Sequence, residues 1–97
     1  MMREKAIEQK LVQAVKNAGG HAPKFTSPGF DGMPDRIVFL PGGKIGFVEV
    51  KAPGCNLSPL QLRRIEQLQE LGQKVYLLDH PEQIAEILED IRNGIST

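Results

Sequence analysis

Residues 48–78 fix more of the fold than any other part of this sequence. An apolar run ending in "FVEVKA" passes into the loop "APGCNLSP", then a helical pattern over 59–71, then the apolar segment "KVYLLD" at 74–79. The helix is bounded at both ends. Ser58 is placed to cap it, Pro59 suits its first position, and Gly72 suits the residue beyond its end. Two strands joined through a helix run parallel, adjacent or nearly so, with a right-handed connection. The chain must therefore contain a sheet with at least one parallel pair and a helix packed on it.

The rest of the chain adds to this unit. Residues 35–40 and 45–51 are rich in Val, Ile and Phe and are joined by "PGGK", which predicts an antiparallel hairpin. Residues 3–18, "REKAIEQKLVQAVKNA", repeat Ile7, Leu11, Ala14, Val15 and Ala18 at helical spacing, and Gly19-Gly20 stops the pattern. Residues 21–26 suit a short edge strand, because Pro23 cannot donate to a ladder on both sides. Residues 27–34, "SPGFDGMP", form a loop. Asp79 or His80 is expected to cap a last helix running from Pro81 to about residue 93. The predicted order is αβββαβα: one α/β domain over 1–97, a mixed β-sheet flanked by helices.

Composition narrows the function classes. No apolar run approaches the roughly 18 residues of a membrane span, and no signal-peptide pattern is present, so a cytoplasmic protein is expected. The single Cys55 makes no internal disulfide, and no Cys/His cluster suits zinc. Net charge is zero, but it is unevenly spread. Residues 1–78 carry eleven Lys/Arg against seven Asp/Glu, whereas residues 79–97 carry Arg92 against five acids. The basic part could meet a polyanion, with the acidic last helix facing away.

Four polar residues stand out from the apolar pattern. On the first helix Glu8 falls between Val15 and Val12, within the apolar stripe. There it either has a partner or lies at the stripe's edge and reaches water. On the hairpin, Asp35, Ile37 and Phe39 share one face of their strand, and Ile45, Phe47, Glu49 and Lys51 share one face of theirs. A three-residue loop, Pro41-Gly42-Gly43, would set Asp35 opposite Glu49; a four-residue loop would put them on opposite faces. Two facing carboxylates repel. They are explained either by Lys51 in a salt-bridge cluster or by a divalent cation, and oxygen ligands without Cys or His favour Mg²⁺ or Mn²⁺.

Gly32-x-Pro34-Asp35, then Glu49-Val50-Lys51, after a helix bearing Glu8, resembles the PD-(D/E)xK nuclease superfamily. With Ser58-Pro59-x-Gln61 downstream it is similar specifically to the VRR-Nuc family, small domains found alone in phages and fused in larger repair enzymes. The match runs from Glu8 to about Leu78. The resemblance implies a restriction-endonuclease-like core and a metal-dependent phosphodiesterase. It implies Asp35 and Glu49 as ligands of Mg²⁺ or Mn²⁺, the Val50 carbonyl completing the shell, and Glu8 as a further ligand, direct or through water. Lys51 would be the catalytic lysine. Gln61 matches the family's glutamine, although Ser58-x-x-Gln61 is also a capping box.

The resemblance further implies DNA as substrate, branched DNA such as four-way (Holliday) junctions in particular, cut by a homodimer with two sites. If the chain is phage-encoded, it would act in the host cytoplasm. Lys24, Arg36, Arg63 and Arg64 are candidate phosphate contacts, with Arg3 and Lys74 beside them. No small-molecule cofactor or membrane partner is expected. Two other readings compete. One is a nucleic-acid-binding module with a structural acidic cluster; the other is a subunit of a larger repair or restriction complex, inactive alone.

Overall fold

The computed structural model describes residues 2–94. Helix α1 covers Glu4–Asn17, strand β1 Arg36–Leu40 and strand β2 Lys44–Val50. Helix α2, Pro59–Glu70, leads to strand β3, Val75–Leu78. A single 3₁₀ turn, Pro81–Gln83, then opens helix α3, Ile84–Arg92. The sheet order is β1-β2-β3, with β1 and β2 antiparallel and β2 and β3 parallel. This is the mixed, helix-flanked α/β sheet expected from the sequence. Among the described residues no helix is long and apolar enough to cross a membrane.

The hairpin loop sets the register. Leu40 pairs with Lys44, which leaves Pro41-Gly42-Gly43 as a three-residue connection. Gly42 and Gly43 have φ of 86° and 76°, backbone angles that a side chain would resist. The last pair is Arg36 with Val48, so the next rung sets Asp35 opposite Glu49.

The expected edge strand is interrupted. Residues 21–25 run antiparallel beside β1 through two isolated bridges, His21 with Phe39 and Lys24 with Arg36. Ile37 N–H donates to the Pro23 carbonyl at 3.1 Å, and Phe25 N–H donates to the Asp35 carbonyl at 2.8 Å. Pro23 has no N–H to return, which breaks the ladder between the bridges. At the start of the last helical segment His80 takes the N-cap position, one of the two residues expected there. The Gln83 side-chain oxygen reaches back and accepts from Asp79 N–H at 3.0 Å and His80 N–H at 3.2 Å. The Gln83 amide thus ties the N-cap residue and its predecessor to the turn.

The core lies between one face of the sheet and the pair α1 and α3. Ile7, Leu11 and Val15 meet Val38, Leu40, Val48, Val50 and Leu78, and Ile84, Ile87, Leu88 and Ile91 close the layer. Each such side chain contributes about 1.5–3 kcal/mol by leaving water. Gly46 lets α3 come close: a Cβ there would lie 2.5 Å from Ile91 Cδ1 and 2.7 Å from Ile91 Cγ1. Gly46→Val is expected to destabilise the protein by about 1–3 kcal/mol through overpacking, measured by urea unfolding.

Asp35, Ile37, Phe39, Ile45, Phe47 and Glu49 alternate onto the other face of the hairpin, with Val75 and Leu77 of β3 beside them. Helix α2 serves this face. Ser58 and Gln61 form a reciprocal capping box at its start. At its end Gln73 N–H donates to the Leu68 carbonyl and Gly72 N–H to the Gln69 carbonyl, closing the helix at a glycine with φ of 85°.

Candidate active site

Glu49 is the one charged residue buried among the described residues, with 2% of its surface exposed. Its Oε2 accepts a hydrogen bond from Gln61 Nε2 at 2.8 Å, and Lys51 Nζ lies 4.0 Å from the same oxygen. Its Oε1 is buried with no hydrogen-bond partner. A carboxylate oxygen in that condition is costly to keep charged. The consequence is a pKa pushed up to about 7, chiefly by burial, with repulsion from Asp35 next and Lys51 offsetting part of it. Glu4, in the first turn of α1, adds a smaller repulsion.

Asp35 stands just before β1 and crosses to β2, where its Oδ2 accepts the Val50 N–H at 3.0 Å. That bond fixes the carboxylate on the rung facing Glu49. Gln61 does two things with one amide. Its Oε1 accepts from Ser58 N–H at 2.9 Å while its Nε2 donates to Glu49. The helix cap and the bond to Glu49 therefore coexist. Asp35, Glu49, Lys51 and Gln61 form one polar cluster at an end of the sheet face served by α2.

Glu8 is placed differently. Its Oε2 accepts from Arg36 Nε at 2.8 Å, and Arg36 Nη1 donates to the Ala22 carbonyl at 2.8 Å. Arg36 follows Asp35 along the chain, so alternation turns it to the opposite face, toward α1. The carboxylate in the apolar stripe thus has a partner, and both members are largely buried. Arg36→Ala is expected to destabilise the fold by about 2–3 kcal/mol, because it leaves the Glu8 carboxylate and the Ala22 carbonyl unpaired. Urea unfolding of Arg36→Ala beside Glu8→Gln measures this.

The four candidate phosphate contacts separate into two kinds. Arg36 is held by Glu8. Arg64 is held by the Asp31 carbonyl at 2.7 Å and by Gln67 Oε1 at 3.0 Å, and its guanidinium sits 3.8 Å above the Phe30 ring. Lys24 and Arg63 are exposed. Glu4 was not singled out by sequence. The available signal was its place one turn before Glu8 on the same helical stripe.

The donor set suits Mg²⁺ or Mn²⁺. Among the described residues no three His, Cys, Asp or Glu side chains gather into a metal cluster. Mg²⁺ commonly takes one or two carboxylates and fills its remaining positions with water and phosphate oxygens. The orphaned Glu49 Oε1, with Asp35 on the opposite rung, fits that pattern. Zinc, which favours Cys and His, does not fit.

The VRR-NUC domain profile matches residues 1–80. The chain belongs to the VRR-Nuc family. A solved VRR-NUC domain superposes with a TM-score of 0.83 at 29% identity, covering 92% of this chain and 97% of that one. A relative from Acyrthosiphon pisum secondary endosymbiont phage 1, named "Putative nuclease p44", is 53% identical over 79 residues, spanning 81% of this chain and 85% of its own length. In this VRR-Nuc chain the family match takes in Asp35, Glu49, Lys51 and Gln61, and ends at His80, before α3. The restriction-endonuclease-like core expected from the resemblance is the fold observed.

Proposed function

We propose that this chain is an endonuclease that hydrolyses DNA phosphodiester bonds with Mg²⁺ or Mn²⁺. The observation that carries the reading is the buried, unpartnered Glu49 Oε1, on a residue whose opposite rung holds Asp35. Family membership and a phage relative named as a nuclease support it. A bound cation would supply Lewis-acid polarisation of the scissile phosphate and lower the pKa of an attacking water. Asp35 and Glu49 would hold it, with the Val50 carbonyl adjoining. Gln61 fixes the Glu49 carboxylate through Oε2, which leaves Oε1 free to ligate. Lys51 orients the attacking water and offsets negative charge as it develops at phosphorus. Glu4 and Glu8 are alternatives for an outer acidic ligand from α1. The field of Glu4 reaches Glu49, whereas Glu8 is occupied by Arg36.

The proposed substrate is branched DNA, four-way junctions in particular, read by backbone shape. Exposed Lys24 and Arg63 would contact phosphates. Two incisions in one junction need two sites, hence a symmetric homodimer. The setting is the cytoplasm of a host cell.

The test compares cleavage of a labelled four-way junction, a flap and a linear duplex in Mg²⁺ or Mn²⁺, with light scattering for the oligomeric state. Metal-dependent incision that favours the junction, by a dimer, is the expected result. Equal DNA binding with and without metal and no incision of any DNA would favour a binding module or an incomplete complex.

A further inference from the structure

The loop that leads into Asp35 holds an open recess of about 310 Å³, lined by residues 25–28 and 30–33, Phe25, Phe30 and Met33 among them. Its Phe25 wall neighbours the carboxylate pair. Phe25 N–H donates to the Asp35 carbonyl, and antiparallel partners share a face, so the Phe25 ring lies on the Asp35 side of the sheet. The ring packs against Phe47 at a centroid distance of 6.0 Å, two residues before Glu49 on the same face. Asp31 also lines the recess, and no Lys, Arg or His does. A phosphate would be repelled there. A planar, largely apolar group would not, and the volume is at the low end of the range for small-ligand pockets, about 300–1,000 Å³.

The wall is built to stay in place. Phe30 is 45% exposed and would ordinarily be free to swing. Instead Arg64 packs its guanidinium over one face of the ring while donating to the Asp31 carbonyl, and Arg64 does not line the recess. The loop sits hard against α2 as well. Gly32 has φ of 87°, and a Cβ there would lie 2.8 Å from Leu60 Cγ. One ring face is thus braced by a cation on α2, and Phe30 is left as a preformed platform on the loop that leads into Asp35.

We infer that this recess is a base-stacking subsite, which takes one unstacked nucleobase of the cleaved strand next to the scissile phosphate. The inference rests on the nuclease reading above and adds to it a reason for preferring branched DNA. Extruding a base costs a few kcal/mol in a continuous duplex and least where pairing is already broken, as when a junction opens at its branch point. Base–aromatic stacking is tolerant of sequence. The subsite therefore selects structure and not sequence.

The experiment scans a single abasic nucleotide through a four-way junction around the cut position, using wild type, Phe30→Ala and Phe30→Trp. Single-turnover cleavage is read in Mg²⁺. Binding is read by anisotropy in a Lys51→Ala background, so the two readouts are separate. Wild type is expected to lose roughly 5- to 150-fold at one position only. Phe30→Ala should be slower by a similar factor on intact DNA and indifferent to the abasic position, and Phe30→Trp should restore the sensitivity. Wild type and Phe30→Ala responding alike at every position, with cleavage intact, would overturn the subsite and leave the nuclease standing. Absence of metal-dependent cleavage would overturn the nuclease reading. The subsite would then fall too unless binding still showed the coupling between Phe30 and the abasic position.

Discussion

Cleavage of a four-way junction in Mg²⁺ is expected to fall at least about 100-fold when Lys51 is replaced by alanine. The Lys51 ammonium sits 4.0 Å from Glu49 Oε2, too far for a strong ion pair, and keeps part of its surface in solvent. Its loss acts twice. It removes the positive charge that meets the developing negative charge, and it removes the one side-chain cation that lowers the Glu49 pKa. The pH–rate profile of Lys51→Ala should therefore move to higher pH as well as downward. Asp35→Asn is expected to lose about as much or more, because it deletes half of the carboxylate pair. Single-turnover rates from pH 6 to pH 9 separate the two effects, and junction binding should survive in both variants. A Lys51→Ala protein cutting at a near wild-type rate would remove this residue from the mechanism.

A second large effect concerns stability. Glu49 titrates at about 7 in the folded chain, against 4.5 for the unperturbed group. Between those values the unfolded chain has released a proton that the folded chain retains. The unfolded state gains, so the contribution of this group falls as pH rises from 4.5 to 7, by about 3 kcal/mol in all. Glu49→Gln keeps an acceptor for Gln61 and never ionises. The variant should match wild type near pH 4.5 and exceed it by up to about 3 kcal/mol at pH 8 in a chelator. Mg²⁺ should then stabilise wild type and leave Glu49→Gln unchanged, since binding only to the folded state shifts unfolding. Urea unfolding at the two pH values, with and without Mg²⁺, tests this. A wild-type-to-variant difference that does not change with pH would contradict the burial assigned to Glu49.

The sequence narrowed the hairpin to two arrangements, because the outcome depends on parity. The three-residue loop sets Asp35 opposite Glu49 and a four-residue loop would separate them, and only the observed Leu40–Lys44 pair decides between the two. The capping box at Ser58 and Gln61 was legible, since the spacing of three residues is local. What escaped notice depends on which face each helix takes. The partner of Glu8 could be named only once α1 was placed on the Arg36 side of the sheet. Glu4 gained meaning at the same step. The Arg64–Phe30 stack joins residues far apart in the chain through a loop of irregular backbone, and no periodicity announces it. At the other sheet edge, Pro23 signalled an edge position correctly but gave no sign of where the ladder would break.

The Gln61 amide has one further consequence. Its oxygen faces an N–H donor at the start of α2 and its nitrogen faces the Glu49 carboxylate. Rotating the amide by half a turn would set donor against donor and acceptor against acceptor. The side chain therefore has a single workable orientation, and it acts as a polarised strut between a helix terminus and an acid. When the charge on Glu49 is neutralised, by a proton or by a cation, the pull on that strut changes at the first turn of α2. The same helix carries Arg64, which braces Phe30, so one rigid element touches both the buried carboxylate and the loop that precedes the other.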